Sequence, residues 1–192
     1  MARQINDRIS EAIWNVLQSS LFGYKAGLYG NSHEDEGIVL ASPYVVDINN
    51  PNFRLQGIMT ELLGAEEKRG LQTFSDLLIS LSQSGAEVGL MTAPTGSTRF
   101  GKTNREMNER EEILLQKLEA GGVEIKMHPS NHSKFISSPM AELSMSSNLT
   151  NRALFWQFEA ATYYSPLDSG YTQAKMSNRD IWEQGAIISH DQ

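Results

Sequence analysis

His132 and Lys134 stand two residues apart, and Ser146 and Asn148 follow at the same spacing. In an extended chain, residues i and i+2 project to one face, so each pair is expected to present two side chains to one ligand. The stretch His132–Ser137 reads as one strand and Ala141–Ser146 as the next, joined by a short hairpin that brings the pairs together. An imidazole is nucleophilic at neutral pH without a metal. A lysine supplies positive charge for the oxygens of a phosphoryl group and for the charge that gathers on them in the transition state. Asn148 adds an amide donor and Ser146 a hydroxyl. A helical turn beginning near Ser147–Thr150 would contribute free N–H groups and the positive end of a helix dipole. A phosphodiester is the substrate that such a set of groups suits.

These residues need a frame, and the hydrophobic pattern supplies one. Ile5, Ile9, Ile13, Leu17 and Leu21 recur at i, i+4, which predicts a first helix over residues 7–22 that lays one apolar stripe on a core, with Gly23 and Gly27 at its exit. A strand is expected over Ile38–Val46, followed by the punctuation Asn49-Asn50-Pro51-Asn52. Residues 53–63 read as a short helix or an excursion. Leu71–Gln83 carries Leu71, Phe74, Leu77, Leu78 and Leu81 on one helical face, with Gly85 past its end. A strand over Glu87–Met91, a helix over Glu111–Ala120 stopped by Gly121-Gly122, and a strand over Val123–Met127 lead to the hairpin. A strand over Phe155–Tyr164 follows. Helices alternating with strands predict an α/β fold, a mixed β-sheet flanked by helices as an αβα sandwich. One domain is expected over residues 1–192, with its core at about 38–164 and a tail at 165–192. The tail, with Trp182 and Ile187-Ile188, is expected to form a helix that caps a partner subunit.

The run His132-Ser133-Lys134, together with Ser146-Ser147-Asn148, resembles the signature of the phospholipase D superfamily: His-x-Lys, four residues, Asp, then Gly-Ser-x-Asn. The His, Lys, Ser and Asn match, whereas Pro139 stands where the motif has Asp and Met145 where it has Gly. The resemblance extends over about residues 38–164 and implies a phospholipase D-like fold. It also implies that Glu159, in the segment Phe155–Glu159, braces the catalytic His. The chemistry implied is a metal-free double displacement: one His attacks phosphorus, a second protonates the leaving oxygen, and water resolves the phosphohistidine. Two His-x-Lys motifs are needed, yet His33, His128 and His190 are not followed by Lys at that spacing. The resemblance therefore implies a homodimer with one composite site on a twofold axis, the commonest oligomer symmetry. Small single-motif members are mostly nucleases, so DNA or RNA is the expected substrate, with no cofactor. The rival expectation is a module that binds phosphate or nucleic acid without catalysis, which Pro139 favours.

Composition bounds these readings. The chain has 192 residues, 40% of them hydrophobic, enough for one sizeable core. The absence of Cys excludes disulfides, thiolate metal sites and cysteine nucleophiles, and is compatible with a cytoplasmic setting. The opening residues lead into an amphipathic helix and not an apolar secretory stretch, and no apolar run is long enough to span a bilayer. No group of His, Asp and Glu has metal-ligand spacing, so no metal is expected. A net charge of −7 counts against wholesale attraction to nucleic acid. A local basic groove is still available, because Arg99, Lys102 and Arg105 cluster in and just after the loop spanning Thr92–Asn104 and could track a phosphate backbone. Trp156, Phe158, Tyr163 and Tyr164 are expected in the core or a dimer interface and not as base-stacking platforms. Gly96–Thr103 also matches the pattern G-x-x-x-x-G-K-[ST] literally. It ranks second, since Gly96 lies well beyond the strand end at Met91 and no later strand ends in an Asp that could hold Mg²⁺.

Overall fold

The structure is a computed structural model that describes residues 3–5, 9–29, 37–48, 70–95, 105–150, 153–154 and 159–187. In chain order its elements are β1 (Arg3–Ile5), α1 (Ile9–Lys25), β2 (Ile38–Ala41), α2 (Phe74–Gln83), β3 (Val88–Thr92) and α3 (Arg105–Ala120). They continue with β4 (Glu124–Met127), β5 (Phe135–Ser137), β6 (Glu142–Met145), β7 (Ala161–Tyr164), α4 (Tyr171–Glu183) and β8 (Ala186–Ile187). The strands join in one eight-stranded sheet of order β1-β7-β6-β5-β2-β3-β4-β8. β2, β3 and β4 are parallel, and the strands on both sides of them are antiparallel to their neighbours. This is the mixed α/β sheet expected from the hydrophobic pattern.

Period-two alternation sets the two faces of the sheet. In β2, Ile38 and Leu40 join the large core formed with α1, α2 and α3, while Val39 and Ala41 join Met91, Phe135 and Trp182 on the opposite face. That second face is covered by α4, which packs on β2, β5 and β6 of its own chain. The helix expected to cap a partner subunit therefore packs on the sheet of its own chain. Trp182 makes the reason plain: a Cβ on Gly89 would collide with its ring, so the glycine in β3 admits the indole against the sheet. Lys126 is buried beneath the same ring, its Nζ 4.3 Å from the ring centroid.

Several boundaries shift for local reasons. α1 runs to Lys25 and passes through Gly23, whose missing side chain leaves room for Tyr29. The left-handed residue that ends the segment is Gly27, at φ 64°. β2 stops at Ala41, because the hydroxyl of Ser42 bonds the Tyr44 carbonyl and Pro43 has no N–H for a ladder. Val45 nevertheless pairs with Leu149. α2 begins only at Phe74, behind a capping box in which Thr73 and Asp76 satisfy each other's backbone N–H. α3 begins six residues before the expected Glu111, its first turns carrying the pairs Arg105–Glu109 and Glu106–Arg110. The segment 53–63 lies outside the described residues.

Candidate functional site

The strand registers deliver six strand ends to one edge of the sheet. Ala41 faces Met91 on one side and Phe135 on the other, Thr92 faces Met127, Phe135 faces Ser144, and Met145 faces Ala161. The residues just beyond these pairs, Ser42, Ala93, His128, Lys134, Ser146 and Ala160, consequently share that edge. It lies outside the carboxyl ends of the parallel strands, the region where open α/β sheets bind ligands.

His132 and Lys134 reach this edge by a route other than the pleat. β5 starts at Phe135, so both residues precede the strand in which the spacing argument placed them. The segment from β4 crosses the strand ends instead. His128 N–H donates to the Thr92 carbonyl at 3.0 Å, and the Asn131 side chain donates to the Met91 carbonyl at 3.2 Å while accepting the Ser133 N–H at 3.0 Å. These bonds replace ladder pairing and carry the chain across β3 and β2. The Lys134 ammonium, 2.8 Å from the His132 carbonyl, closes a small loop around the pair. The His132 side chain is exposed, and among the described residues nothing hydrogen-bonds its ring. An imidazole without a hydrogen-bond partner among the described residues is chemically available.

Ser146 and Glu159 meet directly. The Ser146 hydroxyl donates to Glu159 Oε2 and accepts the Ala160 N–H at 2.9 Å, while the Ser146 N–H donates to the Ala160 carbonyl at 2.9 Å. Glu159 thus engages the motif serine, and among the described residues no hydrogen bond joins it to His132. It stands before β7, which begins at Ala161, two residues beyond it. Residues 155–158, with Trp156 and Phe158, lie outside the described residues. Tyr163 and Tyr164 are half-buried, and Tyr163 packs on the main core.

Asn148 brings an unmet polar demand to the same edge. Among the described residues its Oδ1 is buried without a hydrogen-bond partner, as is the hydroxyl of the neighbouring Ser147. Each such atom costs about 1–3 kcal/mol unless a ligand or water satisfies it. The helical turn expected near Ser147–Thr150 does not start at Ser147 itself. The Leu149 N–H is taken by the Ser42 hydroxyl at 3.0 Å and the Thr150 N–H by the Asn148 carbonyl at 2.8 Å. The turn begins instead at Thr150, whose Oγ1 accepts the Ala153 N–H at 3.2 Å. These two backbone donors are therefore already engaged.

Of the proposed phosphate-tracking residues, Arg99 and Lys102 lie outside the described residues, as does the whole Gly96–Thr103 stretch. Arg105 sits exposed on the first turn of α3 and pairs with Glu109 at 2.9 Å, which offsets its charge. Among the described residues no group of three or more His, Asp or Glu could hold a metal ion, and no helix is long and apolar enough to cross a membrane.

Two buried carboxylates went unnoticed in the sequence. Glu111 lies behind the edge, 2% exposed, and burial pushes its carboxyl up to about 7, with a further push from Glu112. Glu142 lies toward the opposite end of the sheet, opposite Ser137 in the β5–β6 hairpin, and accepts from the Ser137 hydroxyl at 2.7 Å and from Asn178 of α4 at 2.8 Å. Burial raises it to about 7 as well. A signal for the first was present: Glu111, Leu114, Leu115 and Leu118 fall at i, i+3, i+4 and i+7, the buried stripe of α3.

No family model and no curated protein matches this chain by sequence. Solved structures do match it by shape. Nuc from Salmonella typhimurium, a phospholipase D family member, aligns with a TM-score of 0.59 over 98% of this chain and 97% of its own, at 12% identity. NucT from Helicobacter pylori aligns at 0.52 over 98% of this chain and 99% of its own, at 11% identity. A phosphatidylserine synthase from Haemophilus influenzae aligns at 0.56 over 98% of this chain and 40% of its own, at 12% identity. The chain has the fold of the phospholipase D family.

Proposed function

We propose that this protein is a metal-independent phosphodiesterase that cleaves DNA or RNA through a phosphohistidine, at a site shared by the two copies of a homodimer. The observation that supports the reading is that the strand registers bring the segments bearing His132 and Lys134, Ser146 and Asn148, and Glu159 to one sheet edge, where among the described residues Ser147 and Asn148 carry polar atoms without a partner. The His132 ring attacks phosphorus and the leaving alkoxide takes a proton from His132 of the second copy. Water, deprotonated by that same second imidazole, then attacks the phosphohistidine and releases the phosphate. Lys134 and Asn148 neutralise and hold the phosphoryl oxygens. Glu159 orients Ser146, while Arg99, Lys102 and Arg105 follow the substrate backbone. The similarity in fold to Nuc over nearly the full length of both chains agrees with this reading.

Incubation with single- and double-stranded DNA and RNA in excess EDTA tests it. Cleavage by the parent and loss of cleavage in His132→Ala are expected; a variant that cuts as well as the parent would refute the mechanism. A second reading, a non-catalytic phosphate- or nucleic-acid-binding module, is favoured by Pro139 in place of the motif Asp and by the bond that ties Lys134 to the His132 carbonyl. An inactive parent that still binds nucleic acid would support it.

A further inference from the structure

A carboxylate on the buried stripe of a helix is costly, and a leucine there would bury more favourably. Glu111 occupies such a position, and its hydrogen bonds lead to the site. Its Oε1 accepts the Val45 N–H at 3.1 Å and lies 3.4 Å from the Thr92 hydroxyl, which in turn lies 3.3 Å from the Pro43 carbonyl. Pro43 and Val45 belong to the turn that follows β2, where Pro43 has interrupted the ladder. This turn grips the segment bearing Asn148 at several points. The Ser42 hydroxyl donates to the Tyr44 carbonyl at 2.6 Å and accepts the Leu149 N–H at 3.0 Å. Val46 N–H donates to the Leu149 carbonyl at 3.0 Å, and Val45 pairs with Leu149 as a parallel bridge. Leu149 is itself fully buried and adjoins Asn148.

We propose that Glu111 is a positioning residue for the phosphoryl site: from α3 it fixes the turn at residues 42–46, which sets Leu149 and so aims the Asn148 amide at the sheet edge. The inference rests on the phosphodiesterase reading. It explains why an acceptor is kept where packing alone calls for a Leu, because the Val45 N–H would otherwise be buried unpaired. A glutamine can replace the acceptor, whereas a methionine matches the shape and cannot.

The test compares Glu111→Gln and Glu111→Met by amide hydrogen exchange and by steady-state cleavage of a DNA oligonucleotide in EDTA. Glu111→Gln should keep slow exchange at Leu149 and a kcat near the parent's. Glu111→Met should speed exchange at Val45, Val46 and Leu149 while leaving Tyr163 of β7 protected, and should lower kcat about 10²-fold with little change in KM, the cost of a misaimed group. A Glu111→Met protein that keeps the Leu149 protection or the parent's kcat overturns the proposal, as does a Glu111→Gln protein that loses as much as Glu111→Met. Should Glu111→Met fail to fold, Ser42→Ala removes only the hydroxyl that accepts the Leu149 N–H, and the same readouts decide. Should the parent itself not cleave, the phosphodiesterase reading fails on its own and the exchange at Leu149 alone decides the positioning role.

Discussion

The Ser146–Glu159 contact joins two residues that the sequence separates by thirteen positions and gives the glutamate a partner that its expected part did not include. A carboxylate that receives the serine hydroxyl fixes that hydroxyl's lone pairs and the loop that leads into β7; bracing of the histidine would need a different partner in the cleavage complex. Glu159→Ala is expected to lower kcat about tenfold or more, as loss of a supporting hydrogen bond does, while moving stability by no more than about 1 kcal/mol at this half-buried position. Parallel cleavage assays and thermal melts check both halves. His132-x-Lys134 and Ser146-x-Asn148 were legible because their spacing is local. The hydroxyl of Ser42 and the carboxyl of Glu111 were not, since their partners lie 107 and 66 residues away. Glu111 is also hidden in the acidic run Glu106–Glu112, which reads as a solvated face until its place on the leucine stripe is noticed.

At the scale of elements, a hydrophobic period reveals that a helix exists, but its ends are decided by particular bonds. α2 starts at Phe74 because Thr73 and Asp76 cap it, and Thr73→Ala should cost about 1 kcal/mol in chemical denaturation. α4 is the larger lesson. Its sequence, with Met176 exposed and Trp182 buried, gives little sign of which surface it covers. The decisive feature is the absence of a side chain at Gly89, inside β3, where a Cβ would meet the Trp182 ring. Gly89→Ala should force Trp182 off the sheet and destabilise the fold by about 1–3 kcal/mol, with a change in tryptophan fluorescence that reports the displaced ring. Unchanged stability and fluorescence would mean that α4 packs elsewhere. The strand expected over His132–Ser137 is shorter because polar side chains such as Asn131 can satisfy neighbouring carbonyls and carry a chain out of the ladder, which alternation alone does not reveal.

For the whole molecule, two buried acids set a pH dependence. Glu111 and Glu142 titrate near 7 when folded against an ordinary 4.5, because burial favours their neutral forms. The folded chain thus binds protons more tightly than the unfolded one. Their contribution to stability is full below about pH 4.5, declines as pH rises through about 7, and is constant beyond, a loss on the order of 3 kcal/mol for each group. Denaturation across this range should show the decline, and Glu142→Gln should remove its share. The proposed composite site would require two copies, so sedimentation should give twice the mass of one chain, with activity confined to that species. The central claim, attack by His132 across a twofold axis, is tested most directly by quenching the reaction with end-labelled DNA in EDTA and mapping the trapped phosphoryl group by mass spectrometry. An acid-labile phosphohistidine is expected at His132, at one per two chains. Cleavage that proceeds with no phosphoryl group on His132 would contradict it.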